Sequence, residues 1–498
     1  MIRLSLEPRF DADILIVGAG PAGASTAAHL AARGVRVLLV DRQQFPRDKV
    51  CGDFVGPAAL IELDHLGVGG DLEIRGGNVI REASLFVDGR ELIRHPIPEV
   101  PGLPSYGRVV PRLVLDDVIL GAARRAGAEI LDGTTVGGYE AAPDGVTAQL
   151  DGPAGGRSVV VRALVGADGS SSTIARMLRG HPTERADRII AVRAYYEGVE
   201  GPADRSDLYF TGDSFPGYCW LFPTSATTAN VGVGMLLDTL PPASEHIREL
   251  LVRLVQGDRA LRARLGRATL TGKIVGWPLT TFNPREQIVG DRVILAGDAA
   301  GLINPLNGEG IQYALSSGRW AAETINASLA SGDFSRAGLE PYARRVHDEL
   351  RYDMALARLI IQFISNRSFN PVWLEALRII TARARRDRAY ARITGGVLAG
   401  LVPAREVLRP GVIVGTAQQA ATSVVTDAAF TLFRGPASVR KVAADLARTM
   451  ADIGREGARD PVGTARWIGG LVAATAELGL QASRDLAAPR HEEPAADA

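Results

Sequence analysis

The sequence predicts an α/β protein: a Rossmann-like nucleotide-binding domain, an inserted antiparallel-sheet substrate domain and a helical C-terminal region. Three observations predict it. An apolar run, Ile14 to Val17, leads straight into the glycine loop Gly18-Ala19-Gly20-Pro21-Ala22-Gly23. A long middle stretch, Arg188 to Pro278, alternates apolar and polar residues with the period of two that half-buried strands need. Beyond Ile311 the chain turns to Ala, Leu and Arg at helical spacing.

Taken in order, Ile14 to Val17 reads as a strand, the glycine loop opens a helix through Ala32, and Val35 to Val40 is a second strand ending at Asp41. From about 76 to 110, prolines and turn signals such as Val87-Asp88-Gly89-Arg90 mark inserted strands. Leu113 to Ala126 is helical, Glu129 to Leu131 is a strand, and a ribbon runs to Val161 before Ala163 to Gly169 returns to the nucleotide domain. The first part of that domain therefore covers 1–185, and a substrate-binding sheet domain covers 186–285, with helix inside Ser244 to Leu265. Strand Val293 to Ala296 and helix Ile311 to Ala330 form the return over 286–330. A helical region, 331–483, is punctuated at Pro371, Pro403, Pro410, Pro436 and Pro461. The Pro/Ala/Glu-rich stretch 484–498 is too poor in apolar residues to order itself and predicts a disordered tail.

Composition excludes several functions. With 498 residues, 46% hydrophobic and 22% charged, the chain can bury large cores in two or three domains. Lys+Arg and Asp+Glu balance at 56 each, so no net field attracts nucleic acid, and none is expected as a partner. Two cysteines, Cys51 and Cys219, are too few for a disulfide scaffold and point to a reducing cytoplasm. The start, Met1-Ile2-Arg3-Leu4, lacks the features of a signal peptide, and apolar stretches such as Trp467 to Ala474 fall short of the roughly 20 residues of a membrane helix. Peripheral membrane contact through an amphipathic helix stays open, as does self-association. The seven histidines are scattered without ligand spacing, which leaves metal catalysis and Ser/His/Asp hydrolysis without support.

The glycine loop carries the first chemistry. Gly18 permits the tight turn, Gly20 lets the backbone approach a pyrophosphate beside Pro21 and Ala22, and Gly23 lets the helix pack on the strand. Asp41, followed by Arg42, ends the next strand, where a carboxylate accepts hydrogen bonds from ribose hydroxyls. On these residues alone, NAD and FAD fit equally well.

Two later motifs separate them. Val165-Gly166-Ala167-Asp168-Gly169 and Gly297-Asp298-Ala299-Ala300 follow in an order and spacing that resembles the aromatic-hydroxylase-type flavoproteins. The resemblance implies FAD, with Asp298 on the ribityl chain, Asp168 near the cofactor and Arg112 on the flavin side; a surface charge at a helix start is the other reading of Arg112. Asn304-Pro305-Leu306-Asn307-Gly308-Glu309-Gly310 then leads into a helix at Ile311. Pro305, Gly308, Gly310 and Ile311 are read as cofactor contacts, because a helix N-terminus stabilises negative charge on a ring in front of it.

Two further segments resemble the geranylgeranyl reductase-like branch of these flavoproteins: Asp48-Lys49-Val50-Cys51-Gly52 and Tyr218-Cys219-Trp220-Leu221-Phe222-Pro223. The resemblance covers roughly residues 10 to 330. It implies that Cys51 and Gly52 sit near the flavin and that Cys51, Tyr218 and Trp220 serve catalysis; a small buried hydrophobe is the other reading of Cys51. On a strand, Tyr218, Trp220 and Phe222 share one face and would form an aromatic wall for an apolar substrate, while Cys219 faces away. An ordinary sheet core has the same alternation. After Cys51-Gly52-Asp53 the chain has Pro57-Ala58 where those reductases tend to carry Pro-Arg, which argues against a diphosphate head group.

The expected activity is thus an FAD-dependent oxidoreductase acting on a hydrophobic isoprenoid-like or polyketide-like molecule, with reduction of a carbon-carbon double bond foremost. A monooxygenase and a cyclase or ligand carrier with structural FAD are the alternatives. A halogenase is disfavoured, since the Gly-Glu-Ser and Trp-x-Trp-x-Ile-Pro elements are missing. No second nucleotide loop is evident, so NAD(P)H must bind transiently or a protein reductant must supply the electrons.

Overall fold

The computed structural model describes residues 10–240, 246–402 and 461–487, with the single positions 406, 412, 415, 418 and 455. Its first sheet has six strands in the order Val289–Gly290, Val293–Leu295, Ala163–Gly166, Ile14–Val17, Val37–Asp41 and Glu129–Asp132. All its pairs are parallel except the edge pair formed by Val289–Gly290. The three central strands are short and wholly buried, as parallel strands covered on both faces must be. Helices Pro21–Ala31 and Ile311–Ser331 pack on each other so closely that a Cβ on Gly318 would stand 2.5 Å from the Ala22 carbonyl oxygen.

The second sheet has seven strands in the order Thr269–Thr280, Arg188–Glu197, Thr228–Leu236, Tyr218–Pro223, Arg205–Phe210, Glu82–Val87 and Arg90–Pro96. Its last two strands come from the early inserted stretch, with Glu82–Val87 pairing parallel to Arg205–Phe210. One face is closed by helices Ile247–Gly257 and Arg259–Leu265 over Cys219, Leu221, Val231 and Val233. The other face turns toward the first sheet. Thr135–Ala142, Gly145–Gly152 and Gly155–Val161 form the expected ribbon as a three-stranded sheet of their own. Helices Pro57–His65, Gly69–Arg75 and Thr173–Arg179 went unread in the sequence.

Helix Arg336–Ile364 carries Pro341 inside it and still holds, because Leu339, Tyr342, Val346, Leu350 and Met354 bury against the core of the first sheet. Pro371 sits in the first turn of helix Asn370–Ala384, where proline loses no intrahelical bond, and Pro461 opens helix Pro461–Ala487. Pro403, Pro410 and Pro436 lie outside the described residues. The predicted tail, 484–498, starts inside that last helix, and 488–498 lie outside the described residues.

Candidate active site

A cavity of about 560 Å³ lies between the carboxyl ends of the parallel strands and the inner face of the seven-stranded sheet, where open α/β sheets take their ligands. At one end is the glycine loop. Gly18 has φ +101, and a Cβ there would stand 2.3 Å from the Ala167 carbonyl oxygen, so no side chain fits. Gly20, Pro21 and Ala22 line the cavity. Helix Pro21–Ala31 starts at Gly20 without a side-chain cap, which leaves its first amides to whatever the cavity holds. Gly23 does not line the cavity; its Cβ would be 1.8 Å from the Gly18 carbonyl oxygen, so its part is to let the helix close on the loop.

Asp41 and Arg42 line the same end. The Asp41 carboxylate accepts from the amides of Ala19 and Gln43, each at 2.8 Å, and each oxygen keeps a lone pair.

The middle of the cavity is held by buried ion pairs. Arg112 opens helix Arg112–Ala126 yet points inward, donating to Asp116 at 2.6 and 2.8 Å, and Arg47 reaches the same carboxylate at 2.9 Å. This excludes the surface-charge reading of Arg112. Burial works against its charge, but Asp116 and the neighbouring Cys51 together hold the guanidinium above its ordinary value. Asp298 lines the cavity and accepts from Ser170 Oγ at 3.0 Å, with Lys49 Nζ at 3.6 Å. Burial pulls the Lys49 ammonium below the usual lysine value against the pull of Asp298.

Gly297 and Asp168 serve the frame around the cavity. Gly297 does not line the cavity; at φ +58 its Cβ would meet that of Ala22 at 2.8 Å, so it packs its turn on the first helix. Asp168 borders the cavity, but its carboxylate caps helix Thr173–Arg179, accepting from Ser172 Oγ and from the amides of Thr173 at 2.7 Å and Ile174 at 3.3 Å.

The far end is aromatic. Tyr218, Trp220 and Phe222 all face the cavity, with successive ring centroids 6.1 and 6.2 Å apart, and Phe54 extends the wall 5.5 Å from Phe222. Cys219 lies on the opposite face, fully buried. Tyr218 donates its hydroxyl hydrogen to the Asn307 carbonyl at 2.5 Å, which ties the wall to the loop carrying Pro305, Gly308 and Gly310. These three and Ile311 line the cavity, and helix Ile311–Ser331 starts there without a side-chain cap.

Cys51 and Gly52 also line the cavity. Burial pushes the Cys51 thiol up, against the opposing charge of Arg112, so it stands as a neutral thiol and a weak nucleophile. Behind it lies a network the sequence did not reveal. Asn230 donates to the Cys51 carbonyl at 2.7 Å and to Asp53 Oδ2 at 2.8 Å, and accepts from Trp220 Nε1 at 2.9 Å. Tyr195 donates to the same Asp53 oxygen at 2.6 Å. Burial lifts the Asp53 carboxyl to about 6, with the Tyr195 and Asn230 bonds opposing. Tyr195 and Asn230 pair across adjacent strands, and only the apolar setting of these two polar residues hinted at the network.

Two uncapped helix starts facing one space, with an acceptor at the neighbouring strand end, fit a dinucleotide whose pyrophosphate and ring both call for N–H donors. Fold and site together define a dinucleotide-dependent oxidoreductase with a roofed cavity. The family model for the FAD binding domain matches residues 11–350, and the chain belongs to that family. Among its relatives, a menaquinone reductase of Mycolicibacterium smegmatis is 35% identical over 336 residues, 66% of this chain and 79% of the relative. A digeranylgeranylglycerophospholipid reductase of Methanosphaera stadtmanae is 28% identical over 342 residues, covering 67% and 82%. The crystal structure of a geranylgeranyl bacteriochlorophyll reductase-like protein from Thermoplasma acidophilum superposes with a TM-score of 0.63 at 22% identity, over 84% of this chain and 98% of that one.

Proposed function

We propose that this protein is an FAD-dependent reductase of a carbon-carbon double bond in an apolar, isoprenoid-like chain. One observation carries the reading: the cavity that begins at the glycine loop ends on the aromatic wall Tyr218, Trp220, Phe222 and Phe54, none of which offers a cation for a diphosphate. The names of the two reductase relatives support it. Bound FAD supplies hydride once reduced, and NAD(P)H or a protein reductant is the expected electron donor.

The chain's own residues do the rest. Gly18, Gly20, Pro21 and Ala22 would hold the pyrophosphate, Asp41 and Arg42 the ribose, and Asp298 the ribityl hydroxyls. Gly308, Gly310 and Ile311 would place amides against the flavin ring, where they stabilise the negative charge that builds on reduction. Arg112, fixed by Asp116, adds a positive charge beside Cys51 and Gly52. Tyr218, Trp220 and Phe222 orient the alkene and exclude water, so that reacting atoms are held close together. A chain of this kind partitions into lipid, so the protein would meet it at a membrane surface; among the described residues no helix is long and apolar enough to cross one.

The test is anaerobic turnover of photoreduced enzyme against a panel of polyprenyl and polyketide alkenes, read by mass. Gain of two hydrogens is the expected result. Absence of anaerobic product, with oxygen inserted in air, would establish the monooxygenase instead.

A further inference from the structure

Alkene reduction needs a proton as well as a hydride, and the wall groups described so far supply no ready donor. The Tyr218 hydroxyl hydrogen is committed to the Asn307 carbonyl, and Trp220 Nε1 to Asn230. Glu309 is different. It stands on the loop between Gly308 and Gly310, and its side chain lines the cavity at the aromatic end. Both flanking backbones come very close: a Cβ on Gly56 would be 2.9 Å from Glu309 Oε1, and one on Gly400 would be 2.8 Å from Oε2. Gly400 has φ +64 and ends the turn after helix Arg388–Leu398. Leu401, next to it, packs into the cluster that holds Phe54 and Phe222. The C-terminal region thus reaches back to cover this carboxyl.

Among the described residues no cation offsets the burial. Oε2 accepts from the amides of Gln312 at 3.1 Å and Asn307 at 3.5 Å. Among the described residues, the titratable groups facing it are Tyr218 across the wall and Tyr313 on the helix that follows the loop, and burial keeps both phenols neutral. Burial lifts the Glu309 carboxyl to about 8, with Asn307 opposing, so at neutral pH it carries a proton.

Resting on the reductase reading above, we propose that Glu309 is the catalytic acid that delivers the proton to the substrate alkene. The Glu309 O–H bond breaks and a C–H bond forms at one alkene carbon, using the π pair. The other carbon takes hydride from the two-electron-reduced flavin. The carboxylate left behind regains its proton from water.

The experiment compares wild-type holoenzyme with Glu309→Gln and Cys51→Ala, all photoreduced, in a single anaerobic turnover of a polyprenyl alkene in D₂O. Infrared difference spectra of the oxidised holoenzymes across pH are a second readout. For Glu309→Gln, the expected result is a protonation-dependent turnover slowed on the order of 10²–10⁴-fold, with bound flavin retained. The wild-type rate should fall above about pH 8, and a protonated-carboxyl band should vanish over the same range and be missing from Glu309→Gln. An unchanged Glu309→Gln rate, a proton step lost only in Cys51→Ala, or no titrating band would each overturn the proposal. If the wild type yields no reduced alkene at all, the reductase reading itself falls, and this acid's role in it too. If both wild type and Glu309→Gln yield it equally fast, only the acid assignment falls.

Discussion

Asp53→Asn should make the protein more stable, and only at the higher pH. Asp53 is fully buried, and its Oδ1 has no hydrogen-bond partner. Burial raises its carboxyl from 3.8 to about 6. A group whose folded pKa is raised holds its proton more tightly in the folded chain than in the unfolded one. Stability therefore falls as pH climbs from about 4 through about 6, and stays lower above it. About two pKa units at 1.36 kcal/mol each make this loss about 3 kcal/mol. In the variant, the amide oxygen can still accept from Tyr195 and Asn230, and the amide nitrogen takes the place of the unpartnered oxygen. Asn also tolerates the left-handed backbone, φ +64, found at this position.

The assay is urea unfolding of both proteins, saturated with FAD so that ligand stabilisation cancels, and followed by tryptophan fluorescence. The two should unfold alike near pH 4 and differ by about 3 kcal/mol near pH 7.5. Taking the difference removes the other titrating groups, Glu309 included. A variant no more stable relative to wild type at the higher pH would refute the reasoning and show that Asp53 is well solvated or fully paired as a carboxylate.

Three other substitutions test the frame of the site. Gly18→Ala sets a methyl 2.3 Å from the Ala167 carbonyl oxygen at φ +101, and should yield protein without bound flavin, read from visible absorbance. Gly232→Ala sets its methyl 2.2 Å from Trp220 Cζ2 and 2.4 Å from the Val192 carbonyl oxygen. It should displace the indole, cost about 1–3 kcal/mol in a melt, and cut turnover while the flavin stays bound. Tyr218→Phe keeps the ring but loses the bond to Asn307, and should lower stability by about 0.5–1.5 kcal/mol and speed flavin dissociation, measured by dilution.

The nucleotide end is legible in the sequence, because that chemistry is local. A glycine loop between strand and helix, and an acid at the next strand end, work through backbone geometry within some thirty residues. The alternation that puts Tyr218, Trp220 and Phe222 on one face and Cys219 on the other is also a local rule of strands. Where a side chain spends its hydrogen bonds is not local. Asp168 and Gly297 belong to recognisable motifs, yet the first caps a helix and the second packs on Ala22. Gly23 likewise serves helix closure rather than the cavity.

The second sheet shows the same division. Its strands were legible from their period, but the edge hairpin Glu82–Pro96 joins it from more than a hundred residues upstream, because parallel pairing with Arg205–Phe210 costs no local signal. The setting of the two buried carboxyls comes from contacts between distant parts of the chain. Asp53 is closed in by Tyr195 and Asn230 from distant strands, and Glu309 by a glycine turn ninety-one residues further along, at Gly400. Burial, which sets whether such a group holds its proton, is a property of what folds over it, and no run of neighbouring residues encodes that.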